Sequence, residues 1–178
     1  MEEWNQWTAD NRHIDTMRRI AQDALQSEHD GEFYTYAEEH QLTVNEIAYY
    51  LNAYEAGGDA GLEAIRNPDI IPPDRARGAI KTVRRMLDDH FQGRPPFRLT
   101  DEGTAVGVYE IQERMNGDRY LFAICQFRLT LATGQWHLYW MRKFDAWWPY
   151  PLPESGRRFT LRARMEQVLQ DRWGCFFG

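Results

Sequence analysis

Residues 135–151 read QWHLYWMRKFDAWWPYP. Trp136, Trp140, Trp147 and Trp148, with Tyr139 and Tyr150, fall in two short runs on either side of Lys143-Phe144-Asp145. Large aromatic side chains at this density suit strands, whose pleated faces bury them against neighbours. The spacing predicts one strand over Gln135–Arg142 and a shorter one over Ala146–Leu152. Pro149 cannot donate to a ladder, which puts the shorter strand at a sheet edge.

Working upstream from this stretch, Thr133-Gly134 turns the chain, and Tyr120 to Leu131 reads as a strand. Strict alternation would place Leu121, Ala123, Cys125, Phe127, Leu129 and Leu131 on one face. Asn116-Gly117 is the preferred two-residue hairpin turn, and before it Tyr109, Ile111 and Met115 alternate with Glu110, Gln112 and Arg114. Downstream, Leu161 to Asp171 carries Leu161, Met165, Val168 and Leu169 at helical spacing, with Trp173 following inward as a cover for the sheet. The expectation for this half is a four-stranded antiparallel meander with flanking helices.

The hydrophobic period changes from 2 to 3.6 before Gly93-Arg94-Pro95-Pro96. Pro72-Pro73-Asp74 is a helix entry, followed by a stripe of Ala79, Ile80, Val83, Met86, Leu87 and Phe91 with Lys81, Arg84 and Arg85 on the other side. Further upstream, Thr43-Val44-Asn45-Glu46 has the form of a capping box, in which the Glu46 carboxylate reaches back to the cap. Gly57-Gly58 supplies a stop for that helix, and a short helix around Gly61–Arg66 follows. Helices are also expected over Asp10–Glu28, with Asp10 as N-cap, and over Glu32–His40. The fold class is α+β: an acidic helical region, 1–70, followed by an α+β domain, 71–178.

Charge supports that division. Residues 1–66 hold fourteen Asp and Glu against four Arg, a net of −10, whereas residues 67–178 hold thirteen against seventeen Lys and Arg, a net of +4. No window approaches the eighteen or so apolar residues of a membrane span. The N-terminal MEEWNQWTADN lacks the basic region and apolar run of a secretory signal, and Cys125 and Cys175 suit reduced thiols, so the expected location is the cytoplasm.

The stretch around Trp136, Leu138, Tyr139, Trp140 and Arg142, then Trp147 or Trp148 and Tyr150, then Gly174, Cys175, Phe176 and Gly178, resembles a bacterial domain-of-unknown-function family. That family carries a Trp-x-Leu-Tyr-Trp strand and a terminal Gly-Cys-Phe-x-Gly. The resemblance spans about residues 78–178, implies a helix, an antiparallel sheet and a final helix, and brings no assigned activity. Residues Phe33 to Tyr54 are similar to a helix-turn-helix unit, with Gln41 where the turn usually holds glycine, but the second helix of that unit has no Lys or Arg.

Catalytic motifs are missing from the text of the chain. Ser27 and Ser155, the two serines, lie in no nucleophile elbow, and His13, His29, His40, His90 and His137 are never at metal-ligand spacing with Cys or each other. Cys175 beside Phe176, and Glu110 with Glu113 on a strand, suit a packed thiol and a solvated face better than a nucleophile or a magnesium site. The expectation is therefore no catalytic residue, no metal and no cofactor.

What remains is basic and aromatic. Lys81, Arg84, Arg85, Arg128, Arg142, Lys143, Arg157 and Arg158 would form a groove for single-stranded nucleic acid if they converge, with Trp136, Tyr139, Trp140, Trp147 and Trp148 as a stacking platform. The expected function is a non-enzymatic binding or regulatory module. The alternatives are a protein-interaction or DNA-mimic module acting through the acidic helical half, with possible homodimers, and an enzyme with a site at the mouth of the sheet.

Overall fold

The computed structural model describes residues 5–26, 30–142, 146–150 and 159–177. They divide into two compact units. One contains the described residues up to Asn67 together with Trp148–Tyr150; the other contains Pro68–Trp147 and the described residues from Phe159 onward.

The helical unit begins with α1 (Gln6–Asp10) and α2 (Ile14–Gln26). Asp10 is the last residue of α1 instead of the cap of a longer helix; Asn5 caps α1, its side chain accepting from the Thr8 amide, and Asp10 Oδ1 accepts from the Tyr49 hydroxyl at 2.5 Å. Next come α3 (Asp30–Glu39) and α4 (Val44–Arg66). Thr43 caps α4 as its sequence suggests, Oγ1 accepting from the Glu46 amide at 3.1 Å. The reciprocal half of the box is not formed, because the Glu46 carboxylate takes Arg12 Nε at 2.5 Å and lies 3.0 Å from the Tyr50 hydroxyl. A buried carboxylate gains more from a guanidinium than from a peptide N–H.

The stop at Gly57-Gly58 is a break inside α4: Gly58 has φ +57°, and the helix resumes beyond it. Met17, Ile20, Ala21 and Ala24 of α2 and Ile47, Tyr50, Ala53, Leu62 and Ile65 of α4 are all buried and form the core of this unit. Arg18 adds a bond to Asp59 at 2.6 Å. Trp148 joins them, its ring edge-on to Tyr49 at 5.4 Å.

In the second unit α5 (Pro73–Phe91) starts on the proline pair, with Pro72 as N-cap. The sheet has five strands, one more than the sequence suggests, in the order β1 (Phe97–Asp101), β2 (Val106–Glu113), β3 (Arg119–Thr130), β4 (Gln135–Arg142), β5 (Ala146–Pro149). The strand missed is β1: FRLTD is five residues long and follows Pro95-Pro96 directly, too short for alternation to stand out. β5 lies at the edge, as Pro149 requires. Finally α6 (Leu161–Gln170) is capped by Thr160, whose Oγ1 accepts from the Ala163 amide at 3.2 Å.

Register explains which side chains are core. Leu99, Val108, Cys125, Leu138 and Trp140 share one face, as do Val106, Phe127, Leu129 and Trp136. Val106, Val108, Cys125, Phe127 and Leu129 are at most 2% exposed, and the buried stripes Ala76, Ala79, Val83, Leu87 and Leu161, Met165, Val168 belong to α5 and α6, which pack with the sheet and with each other. Phe91, Phe97 and Phe177 close one end, with Phe91 and Phe177 centroids 4.8 Å apart. Trp173, expected inward, is exposed.

The alternation assumed for β3 fails at one point. Val108 pairs with Cys125 and Tyr109 with Ala123, so Ile124 is an inserted bulge residue. Beyond it the phase inverts, and Leu121 is exposed instead of continuing the face of Cys125 and Phe127; Leu131, past the strand end, is exposed too. The β2–β3 connection also differs: Gly117 N donates to Arg114 O, Gly117 has φ +85°, and β3 starts at Arg119. This is a turn followed by a left-handed glycine, not a two-residue loop.

Candidate nucleic-acid interface

Helical geometry arranges the cations of α5. Arg77, Lys81 and Arg85 recur every four residues and are exposed, forming one ridge with about 6 Å between successive positions. Among the described residues none of the three has a carboxylate within ion-pairing distance. Arg84 is set aside from the ridge: it is half-buried and donates through Nη1 to Phe97 O at 2.9 Å, pinning α5 to β1. Arg77 is the member that sequence reading passed over, although its position four residues before Lys81 was the available signal.

The sheet cations go elsewhere. Arg128 pairs across β4 with His137, whereas Arg142 lies five positions further along β4, so the two point to opposite faces. The guanidinium of Arg128 sits 4.0 Å over the Tyr139 ring and donates to Gln126 Oε1 at 3.2 Å; that of Arg142 sits 5.0 Å over the ring of Trp140. Lys81, Arg85, Arg128 and Arg142 therefore do not converge on one groove. Lys143, Arg157 and Arg158 lie outside the described residues.

The aromatic set is mainly core. Trp136, Tyr139 and Trp148 are buried, at 8%, 1% and 2% exposure, and offer no free ring face to a base. Trp140 and Trp147 are half-buried, and Trp147 meets Tyr109 edge-on at 6.4 Å. The burial of Trp136 and Tyr139 has a plain cause: on an interior strand such as β4 an aromatic residue is drawn under whatever covers the sheet, whereas Trp148, on the edge strand, is buried against Tyr49.

Opposite the apolar face, the sheet carries a connected polar chain. Glu102 Oε1 accepts from the Tyr109 hydroxyl at 2.6 Å and the Thr100 hydroxyl at 2.9 Å, while Oε2 accepts from Gln126 Nε2 at 2.7 Å. Gly107 makes room for it, since a Cβ there would lie 2.1 Å from Glu102 Oε1. Arg128 continues the chain through Gln126. Its charge is thereby engaged within the fold. Tyr109 is held well above the ordinary phenol range by burial and by Glu102.

Further along this face lies a buried group that sequence reading did not separate from the other histidines. His137 is 4% exposed and bonded to Thr130 Oγ1 at 2.8 Å. Burial, then Arg164, then Arg128 lower it to about 4, so the ring is neutral at pH 7. Arg164 on α6 is itself buried, donating to Trp136 O at 3.1 Å. Because the unfolded imidazole titrates near 6.5, it binds more protons than the native one between about 6.5 and 4. The stability this burial allows is complete above 6.5 and falls as pH drops through that window, on the order of 3 kcal/mol in all. Urea midpoints at pH 7 and pH 4.5 should therefore separate less in His137→Gln than in the parent; equal separations would show that this ring does not set the acid sensitivity.

Residues 72–178 match the family described as a domain of unknown function, DUF3024. The chain belongs to this family. The DUF3024 region takes in α5, the whole sheet, α6 and the terminal loop, and it also contains Trp148–Tyr150, which group with the helical unit. No curated protein and no solved structure matches the chain. Among the described residues no cluster of His, Cys, Asp and Glu is arranged to hold a metal ion, and no helix is long and apolar enough to cross a membrane.

Proposed function

We propose that the protein is a non-enzymatic cytoplasmic binding module that engages the phosphate backbone of single-stranded nucleic acid along the ridge of Arg77, Lys81 and Arg85. The observation that carries this reading is a row of exposed, unpaired cations on one helix face of a chain whose net charge is −6. Like charges four residues apart each cost a helix about 0.2–0.5 kcal/mol. Asp88 and Asp89 stand one turn further on and are not drawn into ion pairs with the ridge. A polyanion relieves the repulsion by exchanging its counterions for these side chains. Such contacts position a strand without reading its sequence.

The helix-turn-helix likeness does not carry the reading. Gln41 does adopt φ +55° between α3 and α4, but α4 has no cation before Arg66 and belongs to the half with charge −10. That half repels phosphates.

The test is the salt dependence of binding between the full chain and a labelled single-stranded oligonucleotide. Three phosphate contacts should give a slope of log K against log salt near −2, at about 0.7 per contact. Replacing Arg77, Lys81 and Arg85 together by alanine should flatten it and weaken binding at low salt at least tenfold. No affinity at low salt, or a triple variant with the parent's slope, would remove the proposal.

A further inference from the structure

The β2–β3 hairpin outgrows its sheet. Pairing of β1 with β2 ends at Phe97 opposite Glu110, and pairing of β3 with β4 ends at Cys125 opposite Trp140. From Gln112 to Ala123, among the described residues, the two strands are paired only with each other. An isolated two-stranded ribbon is marginal in water. This one also exposes Met115, Tyr120, Leu121 and Phe122, at 109%, 37%, 43% and 46%. These are four large apolar residues on one short arm, and the outer edge of β3 there has no proline and no lysine to blunt it.

The phase of the hydrogen bonds tells which backbone groups face that edge. Ile111 N donates to Pro96 O at 2.9 Å, away from β3, and at the turn Arg114 N donates to Asp118 O at 2.8 Å. Residues of an antiparallel pair alternate between exchanging bonds with each other and turning them outward. Ile111 and Leu121 are therefore an outward-turned pair, as are Glu113 and Arg119. The peptide groups of Arg119, Leu121 and, in the same phase, Ala123 point to the open edge.

We propose that this edge pairs with the same edge of a second copy of the chain, antiparallel about a two-fold axis at Leu121. Every register centred on a residue brings outward groups to outward groups, but only the one at Leu121 uses all three. It sets Leu121 against its own copy and Arg119 against Ala123. Tyr120 and Phe122 then face each other on both sides of the axis, a favourable cross-strand pair. Charge selects a copy over a charged partner. Residues Ile111–Ile124 hold Glu113 and Asp118 against Arg114 and Arg119, a net of zero, so two arms do not repel, and nucleic acid or a basic protein gains no attraction. No like charges meet in the register.

Sedimentation equilibrium of the full chain over a wide concentration range should show a reversible monomer–dimer equilibrium. Leu121→Lys, which sets two ammonium groups across the axis, should abolish it while leaving the melting temperature of the monomer unchanged. The register has its own readout in a Cys175→Ser background. Leu121→Cys should cross-link to itself on mild oxidation, whereas Tyr120→Cys should cross-link only when mixed with Phe122→Cys. A chain that stays monomeric throughout, a Leu121→Lys variant that dimerises like the parent, or a Tyr120→Cys variant that cross-links alone would overturn the proposal.

Discussion

Gly61→Ala should destabilise the helical unit by about 3 kcal/mol, at the top of the range for overpacked sites. A methyl group at Gly61 would lie 2.0 Å from Ala53 O and 3.0 Å from its carbonyl carbon. Both atoms are backbone, so no side-chain rotamer relieves the clash; the second half of α4 must move away from the first. That contact exists because Gly58 takes φ +57° and ψ −138°, which turns the helix at that point. Leu62 and Ile65, both fully buried, would be displaced with it. The control is Gly78→Ala on α5, where an added Cβ meets nothing and helix propensity should raise stability by up to about 1 kcal/mol. Urea unfolding of the two variants beside the parent tests the pair: a Gly61→Ala chain as stable as the parent would mean that the close approach is not required.

Asp171→Ala should cost about as much in the second unit. Asp171 ends α6 with φ +37°, and its carboxylate gathers three amides: Cys175 N and Phe176 N on Oδ1, at 2.6 and 3.0 Å, and Phe177 N on Oδ2 at 2.8 Å. A hydrogen bond to a charged acceptor contributes roughly 1.5–3 kcal/mol net when buried and less where, as at these part-buried amides, water can replace it, and alanine in a left-handed conformation adds about 1 kcal/mol. We expect a net loss near 3 kcal/mol. Phe177 should come loose from Phe91, and Phe176, 2% exposed, should lose its burial, which a drop in near-ultraviolet circular dichroism would report. Asp171→Asn, retaining one acceptor oxygen, should fall between. An Asp171→Ala protein with the parent's urea midpoint would show that the loop is held by its phenylalanines alone.

Where a residue type admits one role, its place was legible in the sequence. Pro149 predicted an edge strand, Thr43 an N-cap and Pro72-Pro73 a helix entry, because missing donors and short hydroxyls have few compatible sites. Long-range geometry was not legible. A single inserted residue, Ile124, inverts the phase of β3 and turns Leu121 outward, and no local feature of RYLFAICQF marks it. Residue type alone also misleads about exposure: Arg164 is 3% exposed and Trp136 is covered, although an arginine and a tryptophan on a basic aromatic half suggest a binding face. Among the candidate site residues, helical spacing placed Lys81 and Arg85 on one exposed face of α5, but the strand cations divided between two faces of the sheet.

Trp148 has a consequence in time. The helical unit is closed by residues that follow its last N-terminal member, Asn67, by some eighty positions. On a ribosome adding 5–20 residues per second, Tyr49 waits on the order of 5–20 seconds for Trp148 to be made. During that interval the first unit lacks part of its core. The second unit's sheet, whose last strand delivers Trp148, is nearly complete before the first unit can be, so the order of folding runs against the order of synthesis. For the same reason a fragment ending at Asn67 lacks the Trp148–Tyr150 segment that groups with its helices.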